Sequence, residues 1–368
     1  MITGFILAGV IIGPSGLGLV HENLGLTLAS ITEVVLSLIA LMIGSKIGLN
    51  TLKTIGRRVV TISLCQIVGT FLLVTTGLVM VGMRVEFAAI LGTIASASAP
   101  AAVYMIISKL KAKGVFVDHL YAEMVVGDVG TILLFSAVTA VAANSLGSSY
   151  SLLQALLYSF IEILSSVLLG FIAGLILHSL TRRCRNAKEI KIVSLSIIFI
   201  SSAVSHTAEI SPLITCLTAG ATWNTMQHRN EFRLNALESL TPPLYAVFFA
   251  IAGTELNLSV LSSLTVLQFG FVFVLARVLG KVTGVFVGGS ITRAESSIRK
   301  YLGISMLPLG GVAISLVLFL DTIPYFSLHQ DSMALILNIV LFGVLMNKLI
   351  GPPLSNYSIT RGAASEDR

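Results

Sequence analysis

Ala95-Ser96-Ala97-Ser98-Ala99-Pro100-Ala101 interrupts an apolar run that extends from about residue 85 to 107. A second interruption, Met306-Leu307-Pro308-Leu309-Gly310-Gly311-Val312, lies midway along a run from about 298 to 320. Proline lacks a backbone donor and disturbs the turn before it, and glycine removes the steric preference for helix, so both runs are expected to unwind at mid-length. Taken singly, each also reads as a kinked packing helix, because proline is common in helices that cross membranes. The residues around them decide what the pair means.

The chain has 368 residues, 55% of them hydrophobic and 11% charged, with a mean hydropathy of +0.96. Soluble domains carry about 25% charged residues, so this composition predicts an integral membrane protein. Runs near 20 residues suit a hydrocarbon core about 30 Å thick, and the short alternating strands of a barrel are absent. The expected fold class is therefore all-α, with about 12 transmembrane segments near 2–20, 27–45, 59–82, 85–107, 119–143, 152–180, 190–207, 210–226, 239–257, 263–291, 298–320 and 331–351. The two interruptions then fall in segments four and eleven. Seven elements apart, these segments cross the bilayer in opposite directions, as in an inverted repeat whose paired broken helices meet at mid-membrane. That arrangement predicts a secondary transporter built as one membrane domain, residues 1–351. Its repeats would lie roughly at 1–143 and 190–351, with a short cytoplasmic tail at 352–368.

Twenty of the 23 lysines and arginines fall in the links after even-numbered segments or in the tail, whereas Arg84 stands alone on the other side. The positive-inside rule then places both termini in the cytoplasm. The same charges beside anionic headgroups account for the pI of about 9.3, and nucleic acid is not an expected partner. The opening segment lacks a basic n-region and a small-residue cleavage site, and is expected to be retained. Its Gly9 and Gly13 have the G-x-x-x-G spacing that permits close helix contact, for which packing within the chain is the plain reading.

Intramembrane charge is costly, so it marks function by default. Asp128 lies inside Val125-Val126-Gly127-Asp128-Val129-Gly130-Thr131, midway along segment five. Arg277 and Lys281, four residues apart and hence on one helical face, lie within segment ten. Half-helix N-termini carry partial positive charge and C-termini partial negative charge, so Asp128 suits the first and a lysine the second. Neutralising a helix end for stability is the alternative role for these cations. Glu162, in segment six among bulky residues, reads as structural or pairing. Glu33 and Glu123 lie nearer segment ends, where solvation is the default, and His119 reads as an exposed boundary residue or a cytoplasmic pH sensor. Cys65, Cys184 and Cys216 show no metal or disulfide spacing. With no Ser-His-Asp set and no phosphate-binding glycine loop, an enzyme is not expected and no cofactor is called for.

Several stretches together resemble the monovalent cation/proton antiporter superfamily, particularly its bacterial branch of NapA-type sodium/proton and Kef-type potassium/proton transporters. Gly4 to Gly18, with Gly9-Val10-Ile11-Ile12-Gly13-Pro14-Ser15-Gly16-Leu17-Gly18, looks like the family's opening helix. Ser98-Ala99-Pro100 stands where members often have Thr-Ser-Pro, Phe248-Phe249 through Gly253 to Leu256 is similar to the FFxxxGxxL signature, and Arg277 to Lys281 matches the lysine-bearing helix.

The resemblance implies a NapA-like homodimer in the bacterial cytoplasmic (inner) membrane. A core with two crossed broken helices would slide against a dimerisation domain. It implies that Asp128, with Ser98 and Ala99 beside it, holds the monovalent cation or the proton, and that Lys281 pairs with an acid when the cation is absent. Pro100, Pro308, Gly310 and Gly311 mark the breaks. Two departures stand out: Gly127 occupies the place of a second tandem acid, and Leu309-Gly310-Gly311 replaces a charged Arg-Gly-Glu. The expected function is antiport of a monovalent cation for protons, sodium first and potassium or lithium by the same chemistry, with cation and proton competing for Asp128 and no net charge moved. A sodium-coupled symporter for an organic anion and a non-transporting membrane sensor or scaffold are the alternative readings.

Overall fold

The structure, a computed structural model, describes residues 2–13, 16–19, 25–46, 49–145, 152–184, 186–227, 237, 241–254, 263–321 and 330–364. Among these the regular structure is all helical: α1 (Ile2–Ile12), α2 (Gly25–Lys46), α3 (Leu49–Met80), α4 (Val85–Ser96), α5 (Pro100–Leu110), α6 (Val115–Ser145) and α7 (Leu152–Thr181). There follow α8 (Ala187–Thr207), α9 (Pro212–Met226), α10 (Thr241–Thr254), α11 (Leu264–Ile291), α12 (Ser296–Ser305), α13 (Gly311–Asp321) and α14 (Gln330–Ala364). Apolar stretches in lipid must close their backbone hydrogen bonds internally, which makes helix the only local solution. Segments four and eleven each arrive as two half-helices, α4 with α5 and α12 with α13, so fourteen helices make up the twelve expected segments. Among the described residues seven segments are long and apolar enough to span a membrane, Val85–Leu110 counted as one.

Two ends differ from the sequence expectation. The opening helix stops at Ile12, where Leu17 N–H donates to the Ile11 carbonyl and the chain turns, well short of residue 20. At the other end α14 continues through Pro352 and Pro353 to Ala364 in place of a tail beginning at 352. Packing holds this extension: Ser355 Oγ donates to the Ser305 carbonyl at 2.9 Å, and the Ser305 and Ser358 hydroxyls bond at 2.8 Å. Pro14 and Ser15 of the opening motif, Arg185, Arg229 and Arg233, Glu255 and Leu256 of the FFxxxGxxL stretch, and Arg368 lie outside the described residues.

The chain divides into two compact units, residues 1–54 with 160–255, and 55–159 with 256–368. In the first, α2 packs along α9 and α1 along α10. A Cβ on Gly220 would fall on the Leu41 carbonyl, and one on Gly9 on the Ala250 carbonyl, so these glycines let the backbones touch. The Gly9/Gly13 spacing therefore serves contact within the chain. Trp223 is fully buried and its indole N–H donates to Thr181 Oγ1 at 3.0 Å.

In the second unit α4 packs on α6 and α12 on α14, the same neighbour relation in both broken segments, and α11 lies against α12 and α14. Phe87, Ile90, Leu91, Phe135, Phe273 and Val340 are at its centre. Lipid is as apolar as these side chains, so close packing and internal hydrogen bonds hold the helices rather than expulsion of water. Burial separates the spans: 89% of the Val85–Leu110 window lies inside the protein against 28% of Leu152–Thr181. Unwound backbone at membrane depth is tolerated only under such cover.

Candidate functional site

The site is built at the two breaks. α4 ends at Ser96, with Ala97 already extended (φ −59°, ψ 154°), and α5 restarts with Pro100 in its first turn, where the missing N–H costs nothing. α12 ends at Ser305, residues 307–310 are non-helical, and α13 starts at Gly311. The breaks are joined directly. Ala99 N–H donates to the Pro308 carbonyl at 2.9 Å, and a Cβ on Gly310 would lie 3.1 Å from the Ala99 Cβ. Gly310 is thus needed for close approach, and Gly351 of α14 makes similar room for Pro308.

Two cations from α11 satisfy the carbonyls that the breaks leave open. Arg277 is fully buried; its Nε donates to the Ala95 carbonyl at 2.9 Å and Nη2 to the Ala97 carbonyl at 2.9 Å. Its Nη1 reaches the Leu307 carbonyl at 2.6 Å and Asn347 Oδ1 at 3.1 Å, so one guanidinium spans both breaks. Lys281, also fully buried, donates to the Ser96 carbonyl at 3.0 Å and to Ser98 Oγ at 2.8 Å. Charge-assisted bonds at a helix C-terminus are favourable both for the orphan carbonyls and for the negative end of the helix dipole. Among the described residues Lys281 makes no ion pair with an acid.

Asp128 is 6% exposed on α6, and among the described residues it makes no hydrogen bond and no ion pair. Lys281 is the cation whose charge acts on it. The hydroxyl of Ser98, which was expected beside Asp128 as an oxygen ligand, accepts from Lys281 Nζ. Gln66 on α3 was not anticipated; its Nε2 donates to Thr70 Oγ1 at 3.2 Å and reaches the Ser96 carbonyl at 3.5 Å, while its Oε1 has no partner. Asn347 on α14, which accepts from Arg277, was missed as well. A lone amide in an apolar run was the only signal for either.

Two expectations are overturned. Glu123 is fully buried rather than solvated; Ser63 Oγ donates to its Oε2, and Oε1 has no partner. His119 is fully buried rather than exposed at a boundary. α6 begins at Val115 with one side covered, Phe116 and Val117 being buried and Phe116 lying where a Cβ on Gly362 would fall, while Val115 and Asp118 stay exposed; Glu123 lies two turns further in, against Ser63 of α3. Glu162 belongs to the other unit and is half-buried on α7. The three cysteines are free thiols. Among the described residues no three His, Cys, Asp or Glu side chains gather as a metal cluster.

The fold has solved counterparts. The fold is similar to that of the sodium proton antiporter MjNhaP1 from Methanocaldococcus jannaschii at pH 8, with a TM-score of 0.71 at 18% identity, covering 99% of this chain and 91% of that one. The electron-microscopy structure of the same antiporter gives a TM-score of 0.72 at 17% identity, covering 95% and 90%. At such identity the likeness carries the fold. No curated protein matches the chain. The model of one family, described as sodium/hydrogen exchanger, transmembrane, matches residues 1–355. The chain therefore belongs to the transmembrane sodium/hydrogen exchanger family, whose members are transporters and not enzymes.

Proposed function

We propose that the protein exchanges sodium for protons by alternating access, with the two cargos competing for the Asp128 carboxylate. The observation that carries this reading is Asp128 itself, a buried acid with no hydrogen bond or ion pair among the described residues, on the helix that packs against α4, the first half of the broken segment. An acid held in this way is free to bind either cargo, so taking up a proton releases the cation. Ser98 and Ala99 would supply oxygen to the cation, which requires Lys281 to leave Ser98 Oγ during the cycle. One carboxylate gives one proton per cation and no net charge moved. Potassium and lithium fit the same chemistry, and selectivity among them would follow from the number and spacing of oxygens. A homodimer in a bacterial inner membrane with both termini cytoplasmic completes the proposal.

Proton/cation exchange in proteoliposomes tests it, wild type against Asp128→Asn, because an amide takes up no proton at physiological pH. Loss of exchange with a folded variant is expected. Sodium-driven proton flux surviving in Asp128→Asn would remove Asp128 from the mechanism, and flux that follows an imposed membrane potential would remove the one-to-one count.

A further inference from the structure

His119, Glu123 and Gly127 recur every four residues on α6 and so form one stripe, each step rising about 6 Å along the axis. All three are buried. His119 Nδ1 lies 2.8 Å from the Val115 carbonyl, which can only accept, so Nδ1 carries the hydrogen and Nε2 presents a lone pair. That Nε2 has no partner. Glu123 Oε2 is fixed by Ser63, while Oε1 is unpartnered and lies 3.8 Å from where a Cβ on Gly127 would be. The Glu123 carboxyl therefore reaches along the helix as far as Gly127, one residue before Asp128. Two buried groups able to exchange protons, each with an atom that has no partner among the described residues, thus run from just past the first turn of α6, where Val115 is 42% exposed, toward Gly127, the residue before Asp128.

We infer that the His119–Glu123 stripe of α6 is a proton relay to Asp128, separate from the route the cation takes. This rests on Asp128 being the exchange acid, as proposed above. The Glu123 carboxyl passes its proton to the Asp128 carboxylate through water. The Glu123 carboxylate regains a proton from the His119 imidazolium at Nε2, and His119 is reprotonated from water at the start of α6. The sum is one proton from water to Asp128, with the cation released and the relay restored, so the one-to-one count stands.

Charges around the stripe come from several elements. Arg58 of α3, Glu295 just before α12 and Asp118 of α6 act on His119, and Lys281 of α11 and Asp128 act on Glu123. Arg361 of α14 is exposed and lies against the Tyr357 ring.

The test uses the full chain in proteoliposomes with Glu123→Gln, Glu123→Asp, His119→Gln and Asp128→Asn, alongside calorimetric sodium binding in detergent. Glu123→Gln can still accept from Ser63. It should bind sodium within about twofold of wild type, yet exchange at least about tenfold more slowly with a larger solvent deuterium effect. Glu123→Asp should recover most of the rate. His119→Gln should slow exchange comparably, and the double variant should be no slower than the slower single one.

Full-speed exchange in Glu123→Gln overturns the relay, as does loss of sodium binding in that variant, which would make Glu123 a cation ligand. Should Glu123→Gln fail to fold, full-speed exchange in His119→Gln overturns it alone. Exchange surviving in Asp128→Asn would instead sink the reading of Asp128, whatever the relay variants do.

Discussion

The amide of Ala99 donates to the carbonyl of Pro308 at 2.9 Å, joining two helix breaks that lie more than two hundred residues apart in sequence. Each break exposes backbone groups that lipid cannot satisfy, and each supplies what the other lacks. Only close approach permits this, and a Cβ added at Gly310 would meet the Ala99 Cβ at 3.1 Å. Substituting Gly310 by Val should push the breaks apart and cost roughly 1–3 kcal/mol by overpacking, read as a lowered melting temperature in detergent. Ala99→Gly removes the Cβ that the new side chain meets, so the double variant should recover part of the loss. Simple additivity of the two effects would show that the contact is not what limits position 310.

Arg277 holds three carbonyls from the two breaks. Arg277→Ala leaves all three buried and short of a donor, at about 1–3 kcal/mol each before relaxation. A total loss on the order of 3–5 kcal/mol is expected, large enough to abolish a folded, monodisperse protein. Arg277→Lys, which replaces a fork by a single point of donation, should fall between. A melting temperature for Arg277→Ala within a few degrees of wild type would refute the clamp.

Lys281 places a positive charge that acts on Asp128 while its bonds run to Ser96 and Ser98. Both cargos are monovalent cations, so deleting this charge should strengthen the binding of both and slow the release of both. Lys281→Ala is therefore expected to lower the apparent KM for sodium and to lower the maximal exchange rate several-fold, with competition by protons intact. Unchanged KM and rate would make Lys281 a structural bystander.

The end of α14 is part of the core, because Ser355 and Ser358 bond Ser305 and Ile359 is fully buried. Ending the chain at Gly351 should lower the melting temperature by several degrees, as burial is lost and the Ser305 hydroxyl and carbonyl are left without these partners. Equal stability would mean that the extension is dispensable.

The fold was legible because the bilayer allows so few solutions: apolar length gave the segments, and proline with glycine marked the two that break. The match over residues 1–355 bears out the family resemblance that the ordered motifs suggested. Arg277 and Lys281 stood out as charges in an apolar run. Their partners did not, since backbone carbonyls some 180 residues away have no sequence signature. Glu123 and His119 were misread by their nearness to a segment end, a rule that assumes the end is open to water. What covers α6 is set by α4, α12 and α14, with Ser63 of α3 on Glu123, and the readable sign was instead the four-residue stripe leading to Gly127. The extension of α14 past residue 351 was not legible, because the serines that anchor it resemble any polar linker.

Competition at one carboxylate also fixes how exchange depends on acidity. When protons occupy most Asp128 carboxylates, a cation binds only the fraction left free, and that fraction falls about tenfold for each unit drop in pH. The apparent KM for sodium should therefore rise as pH falls, approaching tenfold per unit at the acid end and levelling off at the alkaline end, while the maximal rate at saturating sodium changes less. Two competing protons would give a limiting slope near a hundredfold per unit. Initial rates of pH-gradient dissipation in proteoliposomes, measured across sodium concentrations from pH 5.5 to 9 as a chosen range, provide the slope directly. A KM that stays constant while only the maximal rate falls would mean that protons act elsewhere than at the cation's own ligand, and competition at Asp128 would be abandoned.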